Sequence, residues 1–308
     1  MANSPLVELS RLTEFLRLDG RLLAKLDYLL PGFSKKDRAA LRTVEDARAS
    51  GELSEGQTVV ELTSGNMGTG LAIVCRQLGH PFVAVMSEGN TPERARMMRA
   101  LGAEVVLVPQ GPDSSPGQVS GTDLALVDEM ARQITRERNA FRADQFERDS
   151  NWATHLDGTG PEIWVQSGKG VTAVCDFVGA GGTLGGLSRA LLPRGVSVYA
   201  VEPSGAEALG NGDISKPGHP IQGGGYAMAE LEHLKGIDLT GTVAVTGEEA
   251  IRHARLLASQ EGIFGGFSAG ANLAAACQLL RGAERGGVIA FLVCDSGLKY
   301  LSTDLWEA

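Results

Sequence analysis

Cysteine is scarce and badly spaced for chemistry. Cys75, Cys175, Cys277 and Cys294 are the only four in 308 residues, and no two have C-x-x-C spacing. Each sits in an apolar run, which argues against a disulfide framework and predicts buried free thiols in a reducing compartment. Histidine is no more promising: His80, His155, His219, His233 and His253 make no metal-ligand pattern, so no metal is expected. The opening MANSPLVELSRL lacks the apolar core of a signal peptide, and no apolar run approaches a membrane span, so a cytoplasmic protein is expected. Positive charge is in deficit. With 28 basic against 37 acidic residues the net charge is −9, which argues against nucleic acid or an anionic membrane as the main partner. Repeats, low-complexity tracts and blocks of like charge are also missing.

Glycine is what the chain has in excess. Its 41 copies cluster in a few turns, which suggests close backbone approach to a ligand. A composition of 43% hydrophobic and 21% charged residues belongs to a globular protein. The length allows two domains or one large α/β unit.

The most informative stretch is 174–190, VCDFVGAGGTLGGLSRA. It opens apolar, broken only by Asp176, runs into Gly179-Ala180-Gly181-Gly182-Thr183, and turns helical from Leu184. A buried strand, a glycine turn and a helix start suit an anion cup, the alternative being a glycine-rich connection that holds no ligand. Glycine permits close approach, and the first N–H groups of the helix point at the ligand with the positive dipole end behind them. The stretch is not a nicotinamide fingerprint, because the last glycine of G-x-G-x-x-G would fall at Leu184, and no Gly-Lys-Ser/Thr follows to make a P-loop.

The rest of the chain alternates strand and helix patterns. Residues 22–30 read as a strand and 34–51 as a helix ended by Gly51, with Lys36 at its start. Strand 58–62 leads through the turn 63–68 into a helix reaching Gly79. Strand 81–86 follows, then a helix capped by Thr91-Pro92-Glu93 and ending at Gly102, then strand 104–108. Residues 110–121 read as a mobile surface loop and 123–137 as a helix. Gly160-Pro161-Glu162-Ile163 reads as another helix start. Strand 196–201, a long loop 204–227 and strand 242–245 come next. Thr246 with Glu249 makes a capping box for a helix ending near Gly262. A third Gly/Ser turn, 264–270, precedes helix 271–280, and 287–293 is the last strand. Such alternation means a parallel α/β sheet, with ligands at the carboxyl ends of its strands. The tips 63–68, 179–183 and 265–270 are placed to converge there.

Four parts suit pyridoxal phosphate: the phosphate cup, a lysine (Lys36) able to form a Schiff base, an amide (Asn66) for the phenolic oxygen, and a hydroxyl (Ser268) for the ring nitrogen. Taken singly each is ordinary. A lysine at a helix start is as a rule a solvated charge, and an asparagine in a turn a turn former.

Together they carry a resemblance. Pro31-Gly32-Phe33-Ser34-Lys35-Lys36-Asp37-Arg38 resembles the lysine motif of the cysteine synthase and cystathionine β-synthase family, the fold-type II pyridoxal-phosphate enzymes. Glu61-Leu62-Thr63-Ser64-Gly65-Asn66-Met67-Gly68 resembles its asparagine loop, Gly179-Ala180-Gly181-Gly182-Thr183 its phosphate loop, and Gly266-Phe267-Ser268-Ala269-Gly270 its ring-nitrogen loop. Gln145-Phe146, 159–164, 221–223 and 295–297 fall in family order, so the similarity spans nearly the whole chain.

The resemblance implies an α/β fold of two open, mostly parallel twisted sheets with helices on both faces, similar to tryptophan synthase β. Residues 42–152 would form a smaller domain with a mobile part at about 81–133, and 1–41 plus 153–308 a larger cofactor-binding domain. It implies a homodimer, and since no additional domain follows position 308 a C-terminal regulatory module is not expected. Lys36 would carry pyridoxal 5'-phosphate as an internal aldimine and later take the Cα proton. Asn66 would contact the phenolic oxygen, Gly179, Ala180, Gly181, Gly182 and Thr183 the phosphate, and Ser268 the pyridine nitrogen. Thr63, Ser64, Asn66, Met67 (through its backbone) and Gln145 would bind the substrate carboxylate. Lys35 falls where the family is usually apolar. It is expected to face solvent, the sharper alternative being a contact to a second acidic group on the substrate.

A neutral Ser268 hydroxyl does not force the ring nitrogen to stay protonated. The electron sink is then weak, which favours loss of a β leaving group and an α-aminoacrylate intermediate. The expected activity is β-replacement on an activated serine- or cysteine-type amino acid with a small nucleophile. The alternative is a lyase giving keto acid and ammonia. A binding module without turnover is the third reading, and the intact Lys36 speaks against it. Met67 for the usual threonine, Glu147–Asn151 in place of an Asn-Pro motif, and Gly224-Gly225-Tyr226 depart from the family on the substrate side.

Overall fold

The computed structural model describes residues 1–112, 114 and 119–307, so the middle of the expected loop 110–121 lies outside the described residues. β1 (Leu6–Glu8), α1 (Ser10–Phe15) and β2 (Arg21–Lys25) open the chain. α2 (Lys36–Ser50) leads to β3 (Val59–Leu62), α3 (Asn66–Leu78), β4 (Phe82–Ser87), α4 (Pro92–Ala100), β5 (Glu104–Val108), α5 (Gly121–Glu137) and β6 (Phe141–Arg142). α6 (Ser150–Thr154) and α7 (Gly160–Gln166) are joined by a π-helical turn, His155–Thr159. Then come β7 (Ala173–Phe177), α8 (Gly182–Leu191), β8 (Ser197–Pro203), β9 (Gly241–Val245), α9 (Gly247–Glu261), α10 (Phe267–Arg281) and β10 (Val288–Leu292).

The strands form two sheets. One has the order β1-β2-β10-β7-β8-β9, the other β5-β4-β3-β6. β1 runs antiparallel to β2, and the remaining described pairs are parallel. This is the expected α/β architecture of two mostly parallel sheets. Each sheet is covered on both sides, which explains the near-continuous apolar strands. In the larger sheet Cys175, Phe177, Val201, Ile289 and Phe291 face α9 and α10, while Val174, Val198, Ala200, Ala290 and Leu292 face α7 and α8. In the smaller sheet Val59, Phe82, Ala84 and Met86 pack on α2 and α3, and Val60, Leu62, Val83 and Val85 on α5. The period of two along a strand sorts the side chains between the two cores.

Several expectations need correcting. The strand expected over 22–30 ends at Lys25, where Asp27–Leu29 tightens into a 3-10 turn. Gly160 begins α7 as expected, but it does so in continuation of a helical run that starts at Ser150 and passes through the π turn. Thr91 precedes α4, but its hydroxyl donates to Lys299 O at 2.9 Å instead of capping. The helix placed at 271–280 begins at Phe267, and those expected after the turn 63–68 and from Leu184 begin at Asn66 and Gly182. The box of Thr246 and Glu249 does cap α9, which ends on Gly262.

Candidate active site

Four chain crossings meet at the carboxyl ends of β3, β7 and β10. Leaving β3, Thr63 accepts the amides of Gly65 and Gly68, both at 2.9 Å, and so shapes the turn that starts α3. The turn needs φ of 123° at Gly65, and a Cβ there would lie 2.5 Å from the Arg94 side chain, so only glycine serves. Asn66 is the first residue of α3. Its Nδ2 donates to Asp295 Oδ2 and its Oδ1 accepts from Lys299 Nζ, both at 2.8 Å. One amide proton remains for another partner.

After β7 the chain turns at Gly181, φ 84°, into α8. No side chain caps this helix, so its first-turn amides have neither an intrahelical nor a side-chain acceptor. Thr183 Oγ1 lies 3.4 Å from His155 Nε2, and His155 Nδ1 lies 2.8 Å from Thr159 Oγ1. Burial keeps His155 well below its usual pKa, hence neutral, with Arg38, Lys35 and Lys36 acting the same way.

Lys36 is the first residue of α2 and half-buried. Burial, and next the charge of Lys35, pull its pKa down to about 8, against weaker opposing pulls from Asp176 and Glu61. The two residues after it are structural. Asp37 accepts the amide of Gly32 at 2.5 Å, and Arg38 makes a two-armed pair with Glu162, both arms 2.7 Å, and bonds Asp27, pinning α2 to α7.

One pocket, partly open to solvent, gathers Lys36, Thr63, Ser64, Asn66, Met67, Gln145, Ala180 and Ser268. These are all the site residues expected from sequence except Gly179, Gly181, Gly182 and Thr183, which belong to the same turn as Ala180 but do not line the cavity. Sequence reasoning missed other walls: Phe146, Phe177, Gln222 and Cys294. Tyr226, noticed only as a departure, closes one side, its hydroxyl 2.8 Å from Ser64 Oγ and its ring 6.5 Å from that of Phe146. Gln145 is held by Leu62 O, which accepts from its Nε2 at 3.2 Å, and its own carbonyl accepts from Asn151 and His233. Lys35 does not face solvent as expected. It is buried and its ammonium is paired with Asp176, the lone acid in the apolar run of β7. Burial would lower its pKa, but the Asp176 carboxylate outweighs that and holds it above the ordinary lysine value.

The donor set is that of a phosphorylated pyridine aldehyde: free helix amides for a phosphate, an amine for the aldehyde, an amide proton for a ring oxygen and a hydroxyl for a ring nitrogen. The sequence model of "pyridoxal-phosphate dependent enzyme" matches residues 1–295. The chain belongs to that family. "Cysteine synthase 3" of Caenorhabditis elegans is 35% identical over 311 residues, covering all of this chain and 88% of the relative. Among solved structures, an O-ureido-L-serine synthase is 34% identical with a TM-score of 0.86, covering 100% of this chain and 93% of its own. "O-Acetyl Serine Sulfhydrylase isoform 3 from Entamoeba histolytica" is 30% identical with a TM-score of 0.86, over 100% and 90%. The protein is thus a pyridoxal 5'-phosphate enzyme of the cysteine synthase type, a transferase working by β-replacement.

Proposed function

We propose that the enzyme exchanges the β-substituent of an activated serine, of the O-acetylserine kind, for a small nucleophile, with Lys36 as the residue that bonds the cofactor and moves the α-proton. The observation that carries this is a buried-side lysine amine, shifted toward neutrality, in one cavity with Asn66, Ser268 and Ala180. When bound, pyridoxal phosphate supplies an electron sink for the pair left at the substrate's α-carbon. The chain's own groups do the rest. The first-turn amides of α8, with Gly179–Gly182 around them and the Thr183 hydroxyl, hold the phosphate. Asn66 donates its spare amide proton to the ring oxygen, and Ser268 meets the ring nitrogen as a neutral partner. Ser64, the backbone of Asn66 and Met67, the hydroxyl proton of Thr63, and Gln145 hold the substrate carboxylate.

Lys36 Nζ, as a free amine, takes the α-proton. A pKa of about 8 leaves about a tenth of it neutral at pH 7, against about one part in three thousand for an ordinary lysine. Tyr226 and Phe146 shield the reacting carbon from water, which favours capture by the added nucleophile over hydrolysis.

The smaller lobe, residues 42–152, with a mobile part at about 81–133, closes on the larger one formed by 1–41 and 153–308. A homodimer fits exposed Leu29, Phe33, Leu298 and Leu301, on segments tied together where Ser296 N donates to Phe33 O. A cytoplasmic setting fits four buried free thiols.

The test offers O-acetylserine with sulfide, with hydroxyurea, and with no nucleophile, and follows amino-acid product and keto acid separately. Amino-acid product that appears only with a nucleophile is the expected result. Keto acid formed at one rate whether or not a nucleophile is present would replace this reading by a lyase. Borohydride reduction and peptide mapping should label Lys36; a label on Lys35 would move the assignment.

A further inference from the structure

Lys35 has no part in the chemistry just described, yet its ammonium is held in a buried ion pair against the cavity. It is 8% exposed, and its Nζ donates to Asp176 Oδ2. The other carboxylate oxygen, Oδ1, accepts from Asn272 Nδ2 at 3.1 Å and from Cys294 Sγ at 3.3 Å. Asn272 Nδ2 also reaches Leu292 O at 2.9 Å. Side chains from the start of α2, from β7, from α10 and from the end of β10 are thereby tied in one buried knot against the cavity, which Lys35 and Cys294 also line. A pair this deeply buried gains little or nothing in stability over well-packed apolar residues, because desolvation offsets the attraction. Stability does not account for its presence.

We propose that the Lys35–Asp176 pair is a positioning element for Lys36: it clamps the first turn of α2 to the strand that feeds the phosphate turn, and it sets a fixed positive charge beside the Lys36 amine. This rests on Lys36 being the residue that bonds the cofactor. The clamp works because Asp176 lies on β7, a few residues before Gly179, so the amine and the phosphate amides share one rigid reference. The charge works because a second ammonium beside Lys35 is disfavoured. Burial is the larger cause of the Lys36 shift and Lys35 the next, while Asp176 and Glu61 from β3 oppose it; burial pushes the Cys294 thiol up, so it stays neutral. His155 and His233, facing the same region, are both pushed toward the neutral form by burial and add no charge there. Asp37 turns away to the Gly32 amide.

The full chain, stripped of cofactor and reloaded with pyridoxal phosphate, reports this amine. The neutral Nζ adds to the aldehyde carbon, water leaves, and the new carbon–nitrogen double bond is read in the visible absorbance. The loading rate against pH gives a midpoint and a plateau. Borohydride mapping of the loaded protein comes first: a label away from Lys36 overturns the reading beneath the proposal, and the proposal with it. With the label on Lys36, Lys35→Met removes the positive charge beside that amine and leaves the Asp176 carboxyl without its cation, and the midpoint should rise by about one pH unit. The double change Lys35→Met with Asp176→Leu replaces the pair by apolar side chains, which buried sites tolerate. It should raise the midpoint less and slow plateau loading severalfold, because the clamp is gone. A folded double variant with the midpoint and plateau of the unaltered protein overturns the proposal, whatever the fate of the single variant.

Discussion

Asn66→Ala separates chemistry from cofactor holding. Asn66 sits inside the first turn of α3, and the positive φ of the loop is met by Gly65, so Asn66 is not there to bend the chain. Its amide is gripped by Asp295 and Lys299 at 2.8 Å each, which aims the remaining proton into the cavity. Removing a bond to a charged oxygen costs roughly 1.5–3 kcal/mol, about ten- to a hundredfold in rate if felt in the transition state. Lys299 would keep Gly32 O at 2.7 Å, and Asp295 the Tyr300 hydroxyl at 2.7 Å. Each buried group left short adds roughly 1–3 kcal/mol of lost stability. The cup and Lys36 are untouched, so cofactor content should stay close to that of the unaltered enzyme. Absorbance gives the content, urea melts the stability, and release of the β-substituent the rate. The expected pattern is a rate at least tenfold lower, a lower urea midpoint and near-full cofactor. Asn66→Gly should do no better than alanine. A glycine variant with full activity would refute the reasoning, since backbone freedom alone would then suffice.

Gly270→Ala should destabilise the fold by roughly 1–3 kcal/mol through overpacking, because its Cβ would lie 2.0 Å from Ala250 O where α10 meets α9; an unchanged melting temperature contradicts this. Glu61 is fully buried, and burial lifts its carboxyl to about 7, with Arg142 opposing. The folded chain then holds a proton between about pH 4.5 and 7 that the unfolded chain releases, so this group's contribution is full below pH 4.5 and is lost as pH rises through 7. Glu61→Gln should narrow the gap between urea midpoints at pH 5 and pH 8, and an unaltered gap counts against it. Hydrogen exchange across 81–133 should slow when a substrate analogue binds, as closure requires; equal exchange with and without the analogue speaks for a rigid lobe.

The cofactor loops were legible because glycine, asparagine and lysine recur in a fixed order, and the sheet strands because double-sided burial makes them uniformly apolar. Helix starts were not. Asn66, Gly182 and Phe267 begin helices inside glycine-rich stretches without a side-chain cap, so the usual start signal is missing where the first turn is kept open for a ligand. Lys35 was misread because a charge beside a loop suggests solvent, while its partner stands 141 positions away on another strand. The hint was Asp176 itself, an acid with no evident reason in an apolar run. Phe146 was noted only as the neighbour of Gln145 and Tyr226 only as a departure, since a wall of the cavity is defined only once the long loop after β8 folds back over β3.

β2 lies between β1 and β10, with Lys25 in register with Leu292. The strand just before Lys36 therefore finds its parallel neighbour only when the final strand exists, some 263 positions after Lys25. At a synthesis rate of roughly 5–20 residues per second, that is about 13 to 50 s of waiting on the ribosome. During that time the smaller sheet, made wholly of 59–142, has all its strands in hand. The smaller sheet thus has all its strands long before β2 has its parallel partner, and a chain cut before β10 loses the strand that ties β2, and through it the approach to Lys36, to β7.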